Sequence, residues 1–432
     1  MPGHDVVRRW RPSAPRYRTM DEARILRLLL LSGWAFEVRC HGTRPYLGAA
    51  SDALERLISL GLPFRPAAGR ARLFDPVEVV NFVKWTGLSD QDAFWRERFV
   101  ATGRRLVREA RSAAPTGGAL ANLSGPRRFT ILLRRRINLA TQRPGAPLRL
   151  RLPLPVENAA LHDLRTEAWH SGATDLALSI LPGRVEARGA WAGEGEIVLT
   201  ARCSFTARMT GPPTSTSLLD VAERSLFLQP DEGMIRVTER VRSVADHLAG
   251  GCRDPWQTVE RFRRFMFECL ACGMVHYDEI RAARAATDWV LEEGWFDCHV
   301  GSALLAALCR ARGLPARLSG GYLLYEVAPT QHYWVDVWMD DRGWTPFDLL
   351  AWDLSTAGQD SRWRDVFAGH LDHRMLTQRM PRIFTGPMSV RLPPAWHMVS
   401  QITEDGAATE FSDIASGTFI YEDALSVAED DR

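Results

Sequence analysis

The sequence predicts an α+β protein: a cysteine-bearing helix packed on an antiparallel sheet, preceded by a helical domain and a β-rich, sandwich-like domain. Three observations predict it. Apolar residues recur with helical period over most of residues 20–110. The period changes to strict alternation within 129–210, and helical patterns return from about 214 before new strand-like runs follow residue 315. Composition permits a buried core, because the 432 residues are 46% hydrophobic and 25% charged.

The elements follow in order. "MDEARILRLLLLSGWAF" (20–36) has an acidic first turn and a glycine stop. "SDALERLISLGL" (51–62) repeats that grammar, with Ser51 as its cap. "DPVEVVNFVKWTGL" (75–88) starts with a proline just inside the cap and ends at Gly87. "SDQDAFWRERFVATGRRLVREA" (89–110) closes a helical domain expected over 1–125, whose end is a linker rich in Ala, Gly, Ser and Pro at 111–128. A β-rich domain of about five to seven strands is expected over 126–213, carried by "PLRLRLPLPV" (147–156), "TDLALSILPGRVEARGAW" (174–191) and "GEIVLTARCSFTAR" (195–208). "RRR" at 134–136 lies between apolar runs and reads as a strand edge or solvated turn.

A core domain is expected over 214–375, with helices in "GMIRVTERVRSVADHLAG" (233–250), "DPWQTVERFRRFMFECLACGMVHY" (254–277) and "DEIRAARAATDWVLEEG" (278–294). Residues 376–432 remain as a C-terminal extension with an acidic end that frays.

Chemistry is concentrated in "GWFDCHVGSALLAALCRARGLPARLSGGY" (294–322). Asp297 is a good N-cap, Val300, Leu304 and Leu308 mark one buried face, and Gly313 and Pro315 end the helix. Cys298 therefore sits in the first turn, where free amides and the macrodipole favour an anion and lower a thiol pKa. Alone it reads first as a packed thiol, since free cysteines are often buried. What shifts the reading is "QHYWVDVWMDDRGWTPFDLL" (331–350), a hairpin turning over Asp340–Arg342 and Gly343. In that register Asp348 faces Trp334, on the same sheet face as His332, while a one-residue slip would separate them.

A cysteine, a histidine and an aspartate in that order resemble a transglutaminase-like cysteine enzyme. "CHVGSALLAALCRARGLPARLSGGY" resembles the family's cysteine helix and its exit, "HYWVDVWMDDRGWTPFD" its histidine–aspartate hairpin, and "WQTVERFRRFMFECLACGMVHYDE" the helix leading into the core. The resemblance covers about 230–355. The chain departs from the family at Phe296, where glycine is usual, and at His299, where an acidic residue is frequent.

The resemblance implies a papain-like core with Cys298 as nucleophile, His332 as base and then acid, and Asp348 orienting the imidazole, through a thioester. It implies an oxyanion donor at the Cys298 amide and a second from Trp289, Trp295 or Tyr277. Those three residues and Trp334 are the substrate-contacting candidates. The expected partners are an acyl donor (peptide, protein or carrier-bound thioester) and water or an amine, so the expected activity is amide hydrolysis. Amide formation by an acyltransferase and an inactive scaffold of this family are the alternatives.

Other features bound these readings. No EF-hand loop is visible, and neither metal nor cofactor is expected. "CLAC" at 269–272 with His276 resembles half a metal site but reads as helix cysteines. His370 and His373 read as a solvated pair, and most of the fifteen tryptophans as packing, with Trp334 and Trp338 the best exceptions. Seven cysteines, an odd number over a long chain, argue against a disulfide framework. A net charge of +2 offers no field for nucleic acid. Lys84 is the only lysine, a mark of a GC-rich bacterial genome that also makes the chain a poor amine donor. No leader or membrane span is read, and the cytoplasm is the expected compartment.

Overall fold

The computed structural model describes residues 19–31, 50–82, 125–208, 218–324, 330–349, 367–379 and 402–429, with short interruptions inside several stretches. The helix expected over 89–110 and most of the linker lie outside the described residues.

Local chemistry explains the first elements. Helix α1 (Glu22–Leu31) starts where Asp21 Oδ1 accepts the Arg24 amide at 2.9 Å. Helix α2 runs Ala50–Ser59, so Ser51 lies inside it and is not its cap. Asp75 accepts the Glu78 amide at 3.3 Å, with Pro76 just inside, as expected of a proline in a first helical turn. These residues do not form a separate core. Ile25, Leu29, Leu54, Leu57, Phe74 and Val79 share one hydrophobic cluster with the helices and sheet of the third segment.

The β-rich part is a sandwich of two sheets over a common core. Its strands are β1 (Arg127–Ile137), β2 (Pro147–Pro153), β3 (Leu161–Ser171), β4 (Leu176–Leu181), β5 (Arg184–Ala190) and β6 (Ile197–Ala207). The alternation in "PLRLRLP" places Leu148, Leu150 and Leu152 inward, all buried. The arginine run 134–136 is neither an edge nor a turn. It lies within β1, a central strand, and the alternation continues through it: Arg134 and Arg136 are exposed and Arg135 is buried.

The third segment opens with helix α3 (Glu239–Ala249), which Thr238 caps and which starts six residues later than the 233–250 pattern suggests. Helix α4 (Pro255–Cys269) and strand β7 (Ala271–Cys272) follow, then helix α5 (Ala286–Glu293), strand β8 (Trp295–Phe296) and helix α6 (Cys298–Ala311). Strand β7 runs parallel to β8, with Cys272 beside Phe296. Strands β9 (Ala316–Leu323), β10 (Thr330–Met339), β11 (Gly343–Phe347) and β12 (Arg374–Arg379) form an antiparallel sheet in the order β11-β10-β9-β12. Helix α6 packs against β9 and β10, the arrangement expected of a cysteine helix on a sheet.

The boundary expected at 375 falls inside β12. Beyond it, strand β13 (Tyr421–Glu429) pairs with β1 and completes a four-stranded sheet β13-β1-β6-β3, so Tyr421–Glu429 of the acidic end are held in a ladder. The sandwich also grips β12. Met375 and Leu324 belong to the sandwich core, Val156 donates its amide to Leu376 O at 2.8 Å, and His373 bonds Gly125 O at 3.1 Å. His373 is therefore tied to the sandwich and not solvated.

Candidate active site

Helix α6 begins as its sequence dictates. Asp297 has extended dihedrals, and its Oδ1 accepts the amides of His299 and Val300, both at 2.9 Å. Its carbonyl accepts the Gly301 amide. Cys298 is the first helical residue, a thiol outside any disulfide with partial exposure. The Asp297 carboxylate already offsets the positive helix end, so the dipole does less for a thiolate here than at an uncapped terminus. Activation then falls to a neighbouring base.

The other thiols are placed differently. Burial raises Cys203 to about 11 and, with the charges of Glu268 and Asp75, Cys269 to about 12. Burial pushes Cys309 further still. Of the "CLAC" pair, Cys269 ends α4 and Cys272 lies in β7, while His276 is outside the described residues. Among the described residues no group of three or more His, Cys, Asp or Glu side chains is arranged to hold a metal.

Phe296, where the resemblance led to an expected glycine, is accommodated inside the same motif. It is fully buried, and its ring occupies the space a side chain at Gly301 would need. Gly301→Ala should therefore destabilise the protein by about 1–3 kcal/mol through overpacking. Pairing it with Phe296→Leu should restore most of the loss. Urea unfolding of the single and double variants checks this, and a neutral single variant refutes the packing account.

His299 is fully buried and stacks on Tyr333 with ring centroids 4.4 Å apart. Burial lowers its pKa to about 3, so it stays neutral and is unfit to act as the imidazolium beside Cys298. Its folded value lies below the unfolded value near 6.5, so its contribution is fully present above about pH 6.5 and is lost as pH falls from there towards 3. Over that window it should cost up to roughly 1.4 kcal/mol per pH unit. His299→Phe should flatten the loss between pH 7.5 and 5. Denaturant midpoints of both proteins at the two values check it, and parallel curves would contradict it.

His332 and Asp348 meet as the hairpin register requires. Met339 pairs with Gly343 and Val335 with Phe347, which closes the turn over Asp340–Arg342. The next step of this register sets Asp348 opposite Trp334, on the face of His332. His332 Nε2 lies 2.9 and 3.0 Å from the two carboxylate oxygens, and both residues are buried. An ionised carboxylate only accepts, so Nε2 carries the hydrogen and Nδ1 keeps the lone pair. The His299–Tyr333 stack, one residue from Cys298 and one from His332, brings the first turn of α6 to the part of β10 that bears the imidazole.

Sequence reasoning missed Arg374. It opens β12, is buried, and makes an ion pair with Asp348. Its guanidinium lies 5.5 Å from the ring centroids of both Trp334 and Phe367. No local signal marked it, because only the pairing of β12 with β9 brings it to the site.

The aromatic candidates have separate fates. Tyr277 lies outside the described residues. Trp289 and Trp295 pack edge to face at 5.5 Å, each 1% exposed, and so present no open surface. Trp295 Nε1 is buried, with no hydrogen-bond partner among the described residues. Trp334 is buried beneath Arg374, and Trp338 packs on Trp344 while donating Nε1 to Asp340 at 3.0 Å.

Residues 242–349 match the family described as the transglutaminase-like superfamily. Similar solved structures include a candidate cysteine protease from Cytophaga hutchinsonii, 12% identical, with a TM-score of 0.43, covering 72% of this chain and 92% of that one. They also include the periplasmic domain of TgpA from Pseudomonas aeruginosa, 19% identical, with a TM-score of 0.29, covering 60% of this chain and 93% of that one. No curated protein matches the chain.

Proposed function

We infer that this chain, which belongs to the transglutaminase-like superfamily through residues 242–349, is a cysteine acyl-transfer enzyme that hydrolyses amide bonds through a thioester. The observation that carries this reading is the buried His332–Asp348 pair, with Nε2 committed to the carboxylate and Nδ1 left as a base.

In this reading Nδ1 takes the Cys298 thiol proton, and the thiolate attacks the acyl carbonyl carbon. The tetrahedral oxyanion is met by the Cys298 amide. The carbon–nitrogen bond then breaks, and the imidazolium protonates the leaving amine. His332 next takes a proton from water, hydroxide adds to the thioester, and the acid leaves as Cys298 recovers its proton. The partners are a peptide, protein or carrier-bound acyl donor and water, in the cytoplasm. Among the described residues no helix is long and apolar enough to cross a membrane.

Intact-mass spectrometry after incubation with peptide and thioester donors tests this. The acyl mass should appear on the wild type and not on Cys298→Ala, and free acid should follow. Amide product in the presence of amines would move the assignment to amide formation. No adduct and no turnover with any donor would leave an inactive scaffold.

A further inference from the structure

We propose that Arg374 is a positioning residue of this site, acting through Asp348 on the imidazole of His332 to fix its orientation and its charge. The proposal rests on the reading of Cys298, His332 and Asp348 given above.

The placement requires a special strand. In the order β11-β10-β9-β12, Arg374 stands two strands from His332 and three from the end of β11, yet its guanidinium reaches Asp348. The intervening strand is β9, where Gly321 pairs with His332 on one side and Leu376 on the other. A side chain at Gly321 would run into the Met375 carbonyl, so only glycine lets β12 approach this closely. Two rings, Trp334 and Phe367, flank the guanidinium. Leu323 pairs with Arg374 and fixes the strand that carries it.

The consequence is electrostatic. With Arg374 and ionised Asp348 in place, neutral His332 gives a group of zero net charge, and its protonation leaves one net positive charge. Without Arg374, the same protonation would neutralise Asp348 instead. The other charged or titratable groups on the elements around the imidazole are Cys298, Asp297 and buried His299 in the first turn of α6, Asp336 on β10, and Arg263 on α4, which pairs with Glu260 and lies 5.7 Å from the Phe347 ring. Asp336 is held by Arg317 at 3.2 Å and by Ser319 at 2.8 Å. His373, next to Arg374, is tied to Gly125. None of these replaces the guanidinium at Asp348. Removing a cation favours every bound proton nearby, so both the thiol and the imidazole should titrate at higher pH without it.

The test is the pH profile of Cys298 alkylation by iodoacetamide, read by peptide mapping, which needs no substrate. Arg374→Met should move both limbs up by about half a unit or more. Arg374→Lys, which keeps the charge, should leave them near the wild type while slowing turnover, since an ammonium on a flexible stem is not held between Trp334 and Phe367 as the planar guanidinium is. In an Asp348→Asn background, Arg374→Met should shift both limbs by less than half as much, because only its direct field then remains. A folded Arg374→Met with an unmoved profile overturns the proposal. So does an equally large shift in the Asp348→Asn background, because Arg374 would then act without Asp348. If Arg374→Met fails to fold, Arg374→Gln, which keeps a polar group beside Asp348, carries the same two comparisons. If His332→Ala leaves wild-type alkylation unchanged, the triad itself fails. If His332→Ala abolishes fast alkylation while Arg374→Met leaves the profile in place, only the role of Arg374 falls.

Discussion

Asp348→Ala is expected to lose about 3–5 kcal/mol of stability and nearly all acyl transfer. The carboxylate is fully buried and serves two partners at once, His332 Nε2 and Arg374. Truncation leaves a guanidinium charge unpaired in the interior, and breaking a buried pair from one side carries a cost of about that size. It also frees the imidazole to rotate or to adopt the other tautomer, which in triads lowers the rate by roughly 10⁴. Asp348→Asn should separate the two effects. It keeps the volume and one acceptor, so much of the stability should return while the rate stays low. Urea midpoints beside rates of acyl-enzyme formation give both quantities. An alanine variant that is silent in both would remove Asp348 from the site.

Cys298→Ala should show the opposite division. The thiol is partly exposed at a helix start whose cap is supplied by Asp297, so its loss should change stability by under about 1 kcal/mol. Acyl transfer should fall by about six orders of magnitude, the scale on which losing a nucleophile acts. Cys309→Ala is the control. That side chain is fully buried in the main core, and its truncation should cost stability and spare the chemistry. If Cys298→Ala unfolds the protein, the residue is a packing element and the nucleophile lies elsewhere.

The parts of the site that could be read in the sequence are those set by local chemistry. The Asp297 cap, the stop at Gly294 with φ of 80° and the turn at Gly343 with φ of 77° each follow from a few adjacent residues. Because a three-residue turn fixes parity, the His332–Asp348 face followed as well. Arg374 did not, since its role depends on a strand pairing that the sequence does not announce. Arg135 was misread because charge was weighed above alternation, although β1 keeps its period through that residue. The N-terminal helices looked like a domain because their own pattern is complete. Their apolar faces nevertheless close on the main core, and a side chain at Gly294 would meet Met20 at 3.1 Å, so this segment backs the turn that leads to Cys298.

The pairing of β13 with β1 sets a schedule for the growing chain. Phe129 lies opposite Glu429, some three hundred residues later. At roughly 5–20 residues per second, a ribosome takes about fifteen to sixty seconds to cover that interval. Once Ile197–Ala207 has been made, β1 has β6 on one side and a bare edge on the other until the interval ends, the state in which strands recruit the wrong neighbour. Met375, beside Arg374, is packed into the sandwich that this late strand completes. Maturation of the site is thus timed by synthesis of Tyr421–Glu429, and nascent chains stalled before that point should be held by chaperones and lack acyl transfer.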